Sequence, residues 1–263
     1  MTAGIAAIVL FAGLAVGMTG IGGLLLVPAL TVLGDLPLTQ AVPASTLAFL
    51  FTGLAATAQL QWRRHAQRVL GAGAGADAGA AEHLAPPRLL GLKLSALLGA
   101  GIGAFSLSWL PATFVHLALA CLALASGLQT LLTAAPPEAS PAPMRLPAQC
   151  VIGLTIGLGS AWSGTGGPIL ILPVMMWLRT PTRSAIAMAQ VIQLPIALSA
   201  TGVNLLAGQL DWRLGIALGA LLLFGWAVGS WTATRLHTQR LRQALGGLLM
   251  AVGLWYALHI LRT

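Results

Sequence analysis

Seven stretches of this chain, residues 1–34, 36–62, 94–137, 146–178, 184–210, 214–234 and 243–261, contain no Asp, Glu, Lys or Arg. Each is about as long as, or longer than, the roughly 20 residues a helix needs to cross the hydrocarbon core of a bilayer. Charged residues make up 7% of the 263 positions, against roughly a quarter in a soluble domain. Water is not the solvent of such a chain. A soluble enzyme, a nucleic-acid binder and a disordered chain are excluded together. The net charge of +8 does not signal polyanion binding, because the Arg residues sit mostly between the apolar runs and report topology.

Alternation of apolar and polar residues never persists, and lipid forces each spanning segment to satisfy its own backbone hydrogen bonds, so the segments are helices. Single spans are expected over 40–60, 89–110, 112–133, 184–207, 213–235 and 241–261. Two segments, 3–33 and 147–178, are too long for one perpendicular span, since thirty helical residues reach about 45 Å across a core of about 30 Å. Both carry a glycine cluster at mid-length, so breaks are expected at Thr19-Gly20-Ile21-Gly22-Gly23 and at Ser163-Gly164-Thr165-Gly166-Gly167-Pro168. Pro28 and Pro173 are expected to shorten the helix after each break.

The two halves are copies. At a spacing of 144, Gly22-Gly23 falls on Gly166-Gly167 and Ala41 on Ala185; at 126, Gly99, Gly103 and Gly127 fall on Gly225, Gly229 and Gly253. The change in spacing maps to 71–87, a small-residue stretch that reads as a flexible loop. The chain thus divides into a first transmembrane repeat, 1–133, a Pro-rich linker, 134–146, and a second repeat, 147–263. Basic loops alternate in opposite order in the two halves: Arg63, Arg64 and Arg68 follow the second segment of the first half, whereas Arg179 and Arg183 follow the first segment of the second. Under the positive-inside rule this is the pattern of inverted repeats, with an odd number of crossings each. The expected fold is therefore an all-α polytopic membrane protein of two inverted repeats, each with a glycine-broken, re-entrant helix pair plus three spanning helices. Both termini then lie outside. No Lys or Arg precedes Arg63, so the first apolar stretch is read as part of the mature protein.

Interrupted segments at matched positions of two halves are the best pointer in sequence to a transporter's binding site. Glycine lets the backbone turn, and the half-helix that starts after the turn directs its positive end there, which suits an anion. The five carboxylates, Asp35, Asp77, Glu82, Glu138 and Asp211, all fall in expected loops or at helix ends, which argues against a cation carrier or a carboxylate proton relay. The expected substrate-binding residues are Thr19, Gly20, Gly22, Gly23, Ser163, Gly164, Thr165, Gly166 and Gly167, with amide contacts from Gln190 and Gln193, three apart on one helical face. Ser45, Thr46, Trp162 and Asn204 are candidate cavity-lining residues. For Gly99, Gly101 and Gly103 close helix packing is the better reading. Cys121 and Cys150 have no paired or CxxC spacing and are expected as buried free thiols, with no metal site and no cofactor. No HExxH motif or midplane acid pair is present, so an enzyme is not expected.

The paired motifs Gly20-Ile21-Gly22-Gly23-Leu-Leu-Leu-Val-Pro28 and Ser163-Gly164-Thr165-Gly166-Gly167-Pro168-Ile-Leu-Ile-Leu-Pro173 resemble the Gly-x-Gly-Gly-Gly…Pro pattern of the sulfite exporter TauE/SafE family, also called the toluene sulfonate uptake permeases. The resemblance extends over nearly the whole chain, including Ala41-Val42-Pro43-Ala44-Ser45-Thr46-Leu47 and Gly208-Gln-Leu-Asp211-Trp212-Arg213. It implies transport of sulfite, sulfonates and related sulfur-containing anions across the cytoplasmic membrane. The implied partners are a small anionic substrate and the lipid bilayer, with no coupling ion identified, no nucleic acid, and room for a homo-oligomer. Leu24 and Pro168 stand where the pattern has its third glycine, and Gln190 where the second half tends to have Ser or Thr, so the particular substrate differs with the donors. An anion channel and a non-transporting membrane scaffold or assembly factor are the alternative functions.

Overall fold

The computed structural model describes residues 3–20, 22–70, 89–132, 144–177 and 182–232, with short pieces of the last apolar run between 246 and 258. The expected loop 71–87, the core of the linker at 134–143 and most of the expected span 241–261 lie outside the described residues. Among those described there is helix and no strand. The order is α1 (Ala3–Thr19), α2 (Gly23–Leu33), α3 (Leu38–Leu70), α4 (Leu90–Ser106, with a 3₁₀ turn over Leu107–Trp109), α5 (Ala112–Leu132), α6 (Leu146–Ser163), α7 (Pro168–Trp177), α8 (Thr182–Leu206) and α9 (Trp212–Thr232).

Both expected breaks are present, and the elements repeat at the two spacings. Thr19 and Ser163 end α1 and α6, Leu33 and Trp177 end α2 and α7, and Leu38 and Thr182 begin α3 and α8, each pair 144 apart. Ser106 and Thr232 end α4 and α9 in the same way. One boundary differs from expectation. α3 runs past Trp62 to Leu70, since Gln, Arg and Ala sustain a helix beyond the apolar stretch. The prolines do not end the half-helices. After Pro28 the chain widens into a π turn over Ala29–Leu33, because the ring displaces one carbonyl of the ladder without stopping it, and α7 continues past Pro173 to Trp177.

After each break the chain doubles back. A side chain on Gly22 would meet Ala15 Cβ at 2.7 Å and the Ala12 carbonyl at 2.8 Å, and one on Gly34 would meet Ile5 Cδ1 at 3.3 Å, so α2 returns along α1 to where α1 began. Gly159 lies beside Leu170 in the same way, so α7 returns along α6.

Glycine contacts also fix the directions of the longer helices. Gly13 lies on Leu222 and Gly17 on Trp226, so α1 and α9 run parallel. Gly153 lies on Leu92 and Gly103 on Leu158, so α4 and α6 run parallel. Gly215 meets Leu47 and Gly219 meets Phe51, so α3 is parallel to α9. α3 and α8 are antiparallel: Asn204 pairs with Thr46, and Gln193 with Thr52. The end of α3 and the start of α8 are thus on one side.

Inside and outside are reversed relative to a soluble protein. The face of α4 turned inward carries Ser95, Ala96, Gly99, Ala100, Gly103 and Ala104, while Leu94, Leu98, Ile102 and Phe105 are exposed. Lipid is as apolar as Leu, so small residues go to the helix interface, where they allow backbones to approach, and large ones go outward. Gly99, Gly103, Gly225 and Gly229 all abut backbone carbonyls of the neighbouring helix, as the packing reading of the first two required. The same physics corrects the expectation for the cysteines. Cys121 and Cys150 are exposed, because an apolar sequence context in a membrane chain does not distinguish the core from the lipid face. Among the described residues four helical segments, Leu38–Trp62, Leu90–Trp109, Met188–Leu206 and Trp212–Thr232, are long and apolar enough to cross a bilayer.

Candidate functional site

The two breaks, far apart in sequence, meet in the interior. A Cβ on Gly23 would stand 2.8 Å from the carbonyl oxygen of Thr165, and a Cβ on Gly164 would stand 2.9 Å from Val27 Cγ2 and 3.4 Å from Ser45 Cβ. Gly20, Gly22, Gly23, Ser163, Gly164, Thr165, Gly166 and Gly167 are all buried. Tight reversals at Gly22 (φ 146°), Gly166 (φ 72°) and Gly167 (φ 108°) use backbone conformations that side chains disfavour.

Each turn is bounded by helix ends of opposite kind. α2 and α7 begin there, and the first amides of a helix have no partner within it. Gly22, at the start of α2, has no side chain to cap them, and the first return bond runs from Leu25 N–H to Gly22 O at 3.1 Å. In α7 the Leu170 and Ile171 amides both reach Gly167 O, at 3.1 and 3.3 Å. α1 and α6 end at the same turns, where their carbonyls gather, as in the 2.9 Å bond from Gly20 N–H to Val16 O. The turns therefore present a donor side, facing the starts of α2 and α7, and an acceptor side.

Hydroxyls border the second turn. Ser163 Oγ and Thr165 Oγ1 are 2.8 Å apart, and Ser163 also reaches Ser160 O at 3.3 Å. The hydroxyl of Ser45, on α3, and that of Ser160, on α6, are fully buried with no hydrogen-bond partner among the described residues. Thr201 Oγ1 and Asn204 Oδ1, on α8, are buried and unpartnered in the same sense. Buried polar atoms are normally satisfied, so each calls for a guest, a water or an ion. Ser160 and Thr201 escaped the sequence reading; nothing in their spacing separates them from interhelical hydrogen-bonding residues.

The remaining expected residues divide. Gln193 is buried and ties α8 to α3, donating from Nε2 to Phe49 O at 3.0 Å and to Thr52 Oγ1 at 2.6 Å. Gln190 is half-buried one turn away. Asn204 donates to Thr46 Oγ1 at 3.3 Å, and Thr46 donates to Pro43 O at 2.8 Å. Trp162 turns away from the break: its indole N–H donates to Ser106 Oγ at 3.0 Å and its ring meets Phe114 edge-on. The Thr19 side chain and Ile21 lie outside what is described.

One central residue was missed. Phe49 is fully buried, with Cζ 2.7 Å from the Cβ position of Gly23 and Cγ 2.8 Å from that of Gly166. Its ring therefore sits between the two turns. The signal that marks it is its spacing: Phe49 and Gln193 are 144 apart, the same spacing as the two glycine turns.

Among the described residues no charged side chain belongs to this assembly. Asp35 lies between α2 and α3, and Asp211 accepts the Leu214 amide at 3.1 Å at the start of α9. Among the described residues no group of His, Cys, Asp and Glu could hold a metal ion. Residues 5–256 match the family model described as sulfite exporter TauE/SafE. No match was found among the curated proteins or among the solved structures.

Proposed function

Because the chain belongs to the sulfite exporter TauE/SafE family, a family of membrane transporters and not of enzymes, we propose that it is a secondary transporter moving small sulfur oxyanions, sulfite or sulfonates, across the cytoplasmic membrane by alternating access. The observation that carries this reading is the meeting of two uncharged glycine turns at buried depth, with the starts of α2 and α7 aimed into it and unpartnered hydroxyls beside it. Helix starts and hydroxyls can hold an oxyanion without a buried cation.

The proposed roles follow from the geometry. Gly22, Gly23, Gly166 and Gly167 supply backbone donors, and Ser163 and Thr165, whose hydrogens serve Ser160 O and each other, can turn one of them to the anion. Ser45 and Ser160 add hydroxyl hydrogens from α3 and α6. Gln193 holds α8 against α3 through the backbone of Phe49, and Gln190 lines the approach. Carrier behaviour, as opposed to an open pore, is supported by the burial of both turns around the Phe49 ring: a guest reaches them only through a conformational change.

Inverted repeats are the arrangement that makes such movement two-sided. What supports it is that α3 and α8, equated by the duplication, run antiparallel, while α1 pairs with α9 as α6 pairs with α4. With these directions the end of α3, which carries Arg64, and the start of α8, which carries Arg183, share one side, and the positive-inside rule makes it the cytoplasm. Reporter fusions at these two places are expected to give the same cytoplasmic signal; opposite signals contradict the inverted arrangement. The transport reading is tested by sulfite counterflow in liposomes holding the purified protein. Saturable exchange is expected, whereas linear, unsaturated leak indicates a channel and no flux indicates a scaffold.

A further inference from the structure

We infer that Phe49 is the size filter of this site, so that the protein carries oxyanions of about the size of sulfite and excludes arylsulfonates. The inference rests on the reading that the substrate lies between the two glycine turns. Three features of the ring carry it.

The first is position. Cζ is at Gly23 and Cγ at Gly166, so the ring bridges the two turns and occupies the space a guest between them would need. The second is fixation. The Phe49 carbonyl accepts hydrogen bonds from Gln193 Nε2 at 3.0 Å and from Thr52 Oγ1 at 3.1 Å. The backbone is thereby pinned, and side-chain rotation is the low-cost way to make room. A rotating ring clears a small volume, enough for a three-oxygen anion and too little for a second aromatic ring in a close-packed interior.

The third is chemistry. An aromatic rim carries the positive part of the ring quadrupole, and it is the rim atom Cζ that faces Gly23. The rim therefore tolerates a neighbouring anion, while the unpartnered Ser45 and Ser160 hydroxyls supply hydrogen bonds from the side of the second turn. The two halves contribute unlike groups at equivalent places, an aromatic ring from α3 and an amide from α8. Of these two groups, the ring is the one that limits size.

The test uses the full-length protein in liposomes, with labelled sulfite and labelled p-toluenesulfonate as probes. Wild-type protein is expected to exchange sulfite and not toluenesulfonate. Phe49→Ala is expected to raise the toluenesulfonate-to-sulfite rate ratio at least about tenfold, the discrimination that pocket volume typically provides. Leu218→Ala, also fully buried but on α9, is expected to leave the ratio unchanged. An unchanged ratio in Phe49→Ala, loss of both fluxes in a folded Phe49→Ala protein, or toluenesulfonate exchange by wild type as fast as that of sulfite overturns the filter.

Should Phe49→Ala fail to fold, Phe49→Leu replaces it, with a smaller rise expected and no rise counting against the inference. A second measurement does not depend on flux. With Cys121→Ala and Cys150→Ala as background, a Thr165→Cys thiol is expected to react with 2-sulfonatoethyl methanethiosulfonate at least about tenfold faster when Phe49 is Ala or Leu, and equal rates overturn the inference. Absence of sulfite flux in wild type overturns the transport reading instead, and the labelling rates still judge the ring.

Discussion

Gly166→Val is expected to bring sulfite counterflow to background while the protein still inserts and purifies. Gly166 has φ 72°, a region that costs a β-branched residue about 1–3 kcal/mol. Its new Cβ would also stand 2.8 Å from Phe49 Cγ, an overpacking worth a further ~1–3 kcal/mol. Each 1.4 kcal/mol or so is tenfold in an equilibrium, so the turn departs from its binding geometry in most molecules. The contacts that assemble α1 with α9 and α4 with α6 do not involve Gly166, which is why insertion survives. Gly208→Val provides the control. Gly208 has φ 68° and nothing within 4 Å of its Cβ position, so it takes the same backbone strain away from the turns. It is expected to keep most of its flux; equal losses in the two variants would assign the effect to general instability.

The largest effects on stability are expected at Gly13 and Gly157. A Cβ on Gly13 enters the Leu222 carbonyl, and one on Gly157 enters the Ala96 carbonyl. The two glycines are 144 apart, so they perform one task twice, seating the first helix of one half on the penultimate helix of the other. Gly13→Leu and Gly157→Leu should each destabilise the folded protein by about 3 kcal/mol or more, the upper end for overpacking, because backbone cannot retreat as a side chain can. The two losses should be similar. Gly202→Ala, with nothing within 4 Å, should stabilise by up to roughly 1 kcal/mol through helix propensity. Thermal unfolding in detergent measures all three, and a tolerated Leu at either buried position contradicts the described packing.

Much of this fold was legible in the chain because lipid as solvent leaves few choices. Uncharged length gave the four helical segments long and apolar enough to cross, and a segment too long for one crossing with glycine at its middle gave the break. The matched positions of the two breaks were legible from Gly22-Gly23 and Gly166-Gly167. What escaped depended on which way a side chain points. Cys121 and Cys150 look alike as core or lipid-facing residues, since both environments are apolar. Trp162, adjacent to the second break, was as plausible a site wall as a packing residue, and its bond to Ser106 depends on where α4 ends. The prolines were legible as marks of short half-helices, but not that Pro28 is followed by a π turn.

The candidate site was partly legible for a similar reason. Backbone groups at breaks announce themselves through glycine, so both turns were found. Phe49 carries no such mark. An aromatic residue in an apolar run is unremarkable until Gly23 and Gly166 are seen on either side of its ring. Gln193 was picked for its polarity, and its two donated hydrogen bonds make it a brace between the halves as much as a lining residue. The unpartnered Ser160 and Thr201 emerge only from three-dimensional burial.

The most direct test of an oxyanion seat between the turns is anomalous scattering from selenite, the heavier analogue of sulfite, bound to crystals of the wild-type protein. A single strong peak is predicted among Gly23, Thr165 and Gly166, on the side from which α2 and α7 start, and it should vanish on addition of excess sulfite. A peak elsewhere, or none at saturating selenite, would contradict the account.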